Sequence, residues 1–174
     1  MKLNARELRE VDENEVKARL RHLKRQPIYF ILENIYDTYN IGGLFRLADA
    51  LAIEKMYLCG DTEIPPNSRI KKASIGTYKV VPWEYSKSVN DAIADLNLKL
   101  NIVAVEQSPE SVPYMQADYA FPLALIFGNE TYGVTPEVLK SVDQIVEIPM
   151  WGINRSLNVI VSAAIVSYYA INKL

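Results

Sequence analysis

The chain has 174 residues, 49% of them hydrophobic, which is the size of one ordinary domain with enough apolar material for one core. Nineteen basic and 21 acidic residues leave a net charge of −2, which excludes a global attraction to nucleic acid and confines any such binding to a local patch. The single cysteine, Cys59, excludes an intrachain disulfide framework and a cysteine-based zinc site, and no metal is expected.

The first residues, MKLNARELREVDEN, are too charged for a secretory signal. No apolar run approaches the roughly 20 residues needed to cross a bilayer, so a cytoplasmic protein is expected. From 4 to 24, Leu8, Val11, Val16, Leu20 and Leu23 recur at helical intervals between charged residues, which predicts one or two surface helices. The basic end of this stretch, Arg19, Arg21, Lys24 and Arg25 around His22, reads as a solvated helix face or as a phosphate-contacting surface, and Pro27 closes it.

Residues 28–32 (IYFIL) read as a strand, followed by the polar loop ENIYDTYN. Gly42 and Gly43 then open a helix to 51 whose buried stripe is Leu44, Leu47, Ala48 and Leu51. A second strand is expected at 55–59, with Cys59 as a packing residue, then a loop at 60–67 around Pro65 and Pro66. A helical turn at 71–74 and a strand at 78–81, stopped by Pro82, come next. Residues 88–98 carry the helical spacing Val89, Ile93, Leu96; 102–105, 123–127 and 145–148 are three more short strands; 156–172 is a closing helix. Strands alternating with helices imply an α/β fold, a mainly parallel sheet flanked by helices on both faces. No internal repeat or linker interrupts it, so 28–174 is read as one domain behind a helical extension at 1–27.

Three polar segments interrupt the apolar runs. In 34–46 (NIYDTYNIGGLFR), Asn40 is placed to cap the helix, while Gly42 and Gly43 allow close approach of a backbone or ligand. A helix start favours an anion, which Arg46, roughly one turn in, would reach. Neither a P-loop nor a GxGxxG fingerprint is present. The second segment is Gly128-Asn129-Glu130, followed by Thr135 as N-cap and Pro136 at the first helical position. Glu130 stands between a buried strand and that helix, where solubility does not require an acid, so a ligand role is expected. In the third segment, EIPM at 147–150 precedes NRSLN at 154–158; Ser156 is placed to cap the last helix and Asn158 to lie in its first turn.

Asn40 with Arg46 six residues later, GNE at 128–130, and IPM followed by SLNV, in that order, resemble the three motifs of the SpoU or TrmH-like RNA 2′-O-ribose methyltransferases of the SPOUT superfamily. The resemblance runs from about 28 to 170, nearly the whole chain. It implies an α/β domain whose C-terminal part forms a deep trefoil knot, S-adenosylmethionine as cofactor, RNA as substrate and a homodimer whose active site is completed by the first motif of the partner. By resemblance, cofactor contacts fall on Glu106, Phe127, Gly128, Asn129, Ile148 and Met150, and on Ser156, Leu157 and Asn158. Catalytic roles fall on Arg46, Asn40, Glu130, Ser156 and Asn158. Because a guanidinium is a poor base at neutral pH, Arg46 is read as the group that clamps a phosphate and orients the 2′-hydroxyl, with the proton passing to phosphate or water. The family often has Thr after this arginine; here Leu47 stands there.

RNA recognition is assigned to Arg19, Arg21, Lys24 and Arg25 together with Arg46, with Arg69, Lys71 and Lys72 as a second group. Among substrates, the resemblance implies transfer RNA, specifically guanosine 18 of the D-loop, because NRSLNV and the run VEQS at 105–108 look most like the members of the family that methylate that nucleotide. The alternatives are the transfer RNA wobble position, ribosomal RNA, a non-catalytic RNA-binding or assembly protein on the same fold, and a small-molecule-binding α/β domain.

Overall fold

The computed structural model describes residues 2–12, 20, 22–96 and 99–174. Helix α1 (Ala5–Glu10) begins with a capping box: Asn4 Oδ1 accepts from the N–H groups of Arg6 and Glu7, and the Glu7 carboxylate accepts from the Asn4 N–H. Further helices among the described residues are α2 (Thr38–Ala50), α3 (Ser68–Ala73), α4 (Val89–Leu96), α5 (Pro136–Leu139) and α6 (Val159–Ile171).

Among the described residues seven strands form one sheet: β1 (Gln26–Glu33), β2 (Ile53–Cys59), β3 (Trp83–Ser86), β4 (Asn101–Val105), β5 (Val112–Pro113), β6 (Leu123–Phe127) and β7 (Gln144–Glu147). Their order is β3-β2-β1-β6-β4-β7-β5 and every pairing is parallel. The two strands with unbroken apolar runs, β1 and β6, lie at the centre, where both faces are covered. Alternate residues feed two cores. Ile28, Phe30, Leu32, Leu123, Leu125 and Phe127 join α2 and α6, while Tyr29, Ile31, Ala124 and Ile126 join α4 and α5. Cys59 belongs to the second core, and burial pushes its thiol pKa up to about 12.

From β1 the chain builds outward through β2 and β3, then crosses to β4 on the other side and inserts β6 between β1 and β4. This reversal is a topological switch point, and in parallel sheets ligand crevices open at the carboxyl ends of the strands that flank one.

Three local expectations are corrected. The segment 78–81 is not a strand: Gly76, at φ +97°, starts a 3-10 turn at Thr77–Lys79, held by the Thr77 hydroxyl on Ser74 O at 2.8 Å. Val80 and Val81 are buried as a connector, and pairing resumes only after Pro82, whose carbonyl accepts from Met56 N–H. Helix α2 starts at Thr38, not at the glycines, because Asp37 caps it through the Tyr39 N–H at 2.8 Å. Asn40 is therefore not a cap, and Gly42 and Gly43 are interior helical residues whose missing side chains admit Ala73 and Ile160. Helix α6 starts at Val159, capped by Asn158 through the Ile160 N–H at 2.8 Å, and Ser156 lies before it in the loop. Strand β5, a two-residue edge pairing with β7, has no signal in the apolar pattern.

Candidate active site

At the carboxyl ends of β4, β6 and β7, three loops enclose a cavity of about 560 Å³, within the range that holds a cofactor-sized ligand. Its wall is formed by Glu106 and Gln107 after β4, Phe127 to Gly133 after β6, and Ile148, Met150 and Asn154 to Asn158 after β7. The loop after β6 is shaped by its own side chain. Asn129 Oδ1 accepts from the N–H groups of Thr131 and Tyr132, its main chain pairs with Gly133, and its amide donates to Asn34 O at 2.7 Å. Gly128 is required there, since a Cβ would run into the Gly133–Val134 main chain. Glu106 closes the same loop from below, accepting from Val134 N–H at 2.9 Å and from Gln107 N–H at 2.8 Å.

At one edge of the cavity three distant segments meet in a single chain of hydrogen bonds. Asn40 Nδ2 donates to Glu130 Oε1 at 2.9 Å, and Asn158 Nδ2 donates to Asn40 Oδ1 at 3.0 Å. The Glu130 carboxylate also accepts from the N–H groups of Tyr36 and Asp37, at 3.4 and 3.3 Å. Asn40 is only 5% exposed and spends both ends of its amide on these contacts. It thereby ties α2, the loop after β6 and the cap of α6 into one unit.

The cavity wall contains all nine residues assigned above to cofactor contact, and Asn40 and Glu130 with them. Ser156 lines the wall in the loop, its N–H donating to Asn154 Oδ1 at 3.3 Å. Arg46 does not line it: it is exposed two turns along α2, which starts earlier than the glycines suggested. Leu47 is buried in the core. Of the basic N-terminal group, Arg19 and Arg21 lie outside the described residues and Lys24 is exposed. Arg25 has a structural task, donating to Ile53 O and Val80 O at 3.0 Å each, and burial lowers its pKa against the pull of Glu54 and Asp49. Asp37, Glu147 and Arg155 also line the wall; they lie inside the first and third polar segments, but sequence reasoning assigned them no role of their own. Nor was Glu33, a buried carboxylate at the end of β1. It accepts from both the N–H and the hydroxyl of Thr135, at 2.9 and 2.7 Å, so the Thr135 side chain anchors the start of α5 instead of capping it.

A parallel sheet covered on both faces, with a loop-walled crevice beyond its switch point, defines an α/β protein with a ligand-binding crevice. The model of the SpoU rRNA Methylase family matches residues 27–168, and the chain belongs to that family. It is 30% identical over 152 residues to the tRNA (guanosine(18)-2′-O)-methyltransferase of Escherichia coli (strain K12), covering 84% of this chain and 64% of that one. To the enzyme of the same name from Aquifex aeolicus (strain VF5) it is 32% identical over 157 residues, covering 84% and 70%. Its fold matches the AdoMet-bound rRNA methyltransferase from Sinorhizobium meliloti with a TM-score of 0.79 at 26% identity, over 96% of this chain and 60% of that one. The chain thus spans somewhat less than two thirds of the length of the Escherichia coli and Sinorhizobium meliloti proteins. No described helix is long and apolar enough to cross a membrane, and among the described residues no group of three or more His, Cys, Asp or Glu is placed to hold a metal.

Proposed function

We propose that the protein is an S-adenosylmethionine-dependent RNA 2′-O-ribose methyltransferase acting in the cytoplasm on transfer RNA, at guanosine 18 of the D-loop. The observation that carries this reading is the composition of the cavity wall. Much of it is turn backbone, suited to a flat polar ligand, and its charged side chains are Asp37, Glu106, Glu130 and Glu147 against Arg155. That excess of carboxylate suits a ligand with a sulfonium and an ammonium. The names of the Escherichia coli and Aquifex aeolicus relatives support transfer RNA, and the AdoMet in the Sinorhizobium meliloti structure supports the cofactor. That neighbour is an rRNA methyltransferase, which keeps ribosomal RNA as the second reading.

When bound, S-adenosylmethionine supplies a methyl group on a positively charged sulfur; its transfer to a ribose oxygen releases the hydroxyl proton. The residues of the chain hold and align the reactants. The loops after β6 and β7 would hold the cofactor through Phe127, Gly128, Asn129, Ile148 and Met150. Asn40, Glu130, Ser156 and Asn158 fix the geometry at the cavity edge. Arg46 clamps the phosphate beside the target ribose and orients the hydroxyl, whose proton passes to a phosphate oxygen or water.

Because Arg46 stands outside its own cavity wall, it serves the site of a partner subunit in a homodimer. Exposed apolar residues fit the interface: Trp151 is 91% exposed and Ile153 fully so, with Val161 and Tyr168 on α6. Residues 28–174 are the catalytic domain, its C-terminal segment knotted through the loops of β6 and β7, and 1–27 are an extension that approaches RNA. Labelled methyl transfer to bulk transfer RNA, measured beside calorimetry with S-adenosylmethionine, tests the division of labour. Arg46→Ala abolishes transfer and leaves cofactor affinity unchanged; near-normal turnover of this variant would overturn the assignment.

A further inference from the structure

Beside the cofactor cavity, and sharing Asp37 with it, lies an open depression of about 300 Å³ lined by Tyr36, Tyr39, Glu63, Asn67 and Arg69. Its two tyrosines are 52% and 57% exposed, although most aromatic rings in the chain's two cores are buried. Their backbone is fixed: the Tyr36 N–H is held by Glu130, and the Tyr39 N–H by Asp37. Two aromatic faces are thus presented to solvent on a rigid scaffold at the mouth of the site. Across from them Asn67 caps α3 through the Arg69 and Ile70 N–H groups, leaving the Arg69 side chain exposed, with Lys72 one turn on along the same helical face.

The charges decide what fits. Asp37 and Glu63 against Arg69 make the lining unsuitable for a phosphate but suitable for a ring that carries N–H donors, with phosphate left to Arg69 and to the exposed Lys72 beyond it. An unpaired RNA nucleotide has this layout, a flat base that stacks on aromatic side chains and a backbone charge that meets a cation. We infer that this depression is an RNA subsite. It receives the unpaired base next to the methylated nucleotide, stacked on Tyr36 and Tyr39, with Arg69 on its phosphate. The inference rests on the RNA methyltransferase reading. It gives Tyr36 and Tyr39 a role that the motifs did not assign and places Arg69 and Lys72, from the second basic group of the sequence, beside them.

The test is steady-state methyl transfer by the full chain with bulk transfer RNA as substrate, with calorimetric cofactor affinity as control. The Tyr36→Ala/Tyr39→Ala double variant raises KM for RNA about tenfold or more, as expected for loss of base stacking. Its kcat at saturating RNA and its cofactor affinity stay as in the wild type. Tyr36→Phe/Tyr39→Phe, which keeps both rings, retains the wild-type KM. Arg69→Ala weakens RNA binding and lowers its salt slope by about one, the signature of one lost phosphate contact. If the wild type methylates RNA and the alanine variant keeps its KM, or the phenylalanine variant is equally impaired, the subsite is refuted while the activity stands. If the wild type methylates no RNA at all, the activity reading has failed and the subsite goes with it.

Discussion

Asn40 is the joint between the three motif segments, and its removal has a calculable effect. Asn40→Ala deletes one hydrogen bond to a carboxylate and one to an amide. Bonds to charged groups contribute about 1.5–3 kcal/mol and neutral ones about 0.5–1.5. Glu130 and Asn158 are both exposed, so water replaces the lost partner for each and the lower ends apply. The expected loss is about 2 kcal/mol, or ~4–8 °C in Tm for a domain of this size. Asn40→Asp keeps the shape but sets a second carboxylate beside Glu130, at the 2.9 Å now spanned by a hydrogen bond. Repulsion at that range adds about 1.5–6 kcal/mol at effective dielectric constants between water and a protein surface. Thermal unfolding of both variants at pH 7 reads this directly. An Asn40→Asp protein as stable as the wild type at pH 7 would refute the reasoning.

Two further expectations concern packing. Gly42→Ala destabilises by about 1–3 kcal/mol because the new methyl meets main chain at Ser74 N, 2.8 Å, and Ala73 C, 2.9 Å. Gly43→Ala costs less, since it meets only the Ile160 side chain, foremost its terminal methyl, and gains helix propensity; denaturant unfolding that ranks the pair the other way contradicts the close packing of α2 on α3. The Cys59 thiol, pushed up to about 12 by burial first and then by Glu33 and Asp91, stays protonated and unreactive toward a thiol reagent at pH 8 in the native state, and titrates fully in denaturant. Its folded pKa lies above the unfolded value, so its contribution is intact below about pH 8.5 and is lost as pH rises from there toward 12. Rapid native labelling would mean that the second core is open.

The central strands were legible because β1 and β6 are buried on both faces and so carry unbroken apolar runs, and the cavity wall was legible because loops after such strands are polar and small. The start of α2 was not. Asn34, Asp37 and Asn40 are chemically equivalent cap candidates, and only the contact of Asn40 with Glu130, 90 residues away, removes it from the choice. The paired glycines looked like a ligand loop for a similar reason: what fills their empty space, Ala73 and Ile160, comes from other helices. Arg25 looked free for RNA because its acceptors, Ile53 O and Val80 O, are 28 and 55 residues on. The position of Arg46 outside the wall follows from the true start of α2, which no periodicity in the segment announces.

The most direct test of the account is to incubate the purified protein with S-adenosylmethionine and transfer RNA and map ribose methylation by resistance to alkaline cleavage. One new 2′-O-methyl mark is expected in the D-loop, at guanosine 18, absent without cofactor and absent with Arg46→Ala. Transfer of no methyl group to RNA, or its appearance on a base instead of a ribose, would contradict it.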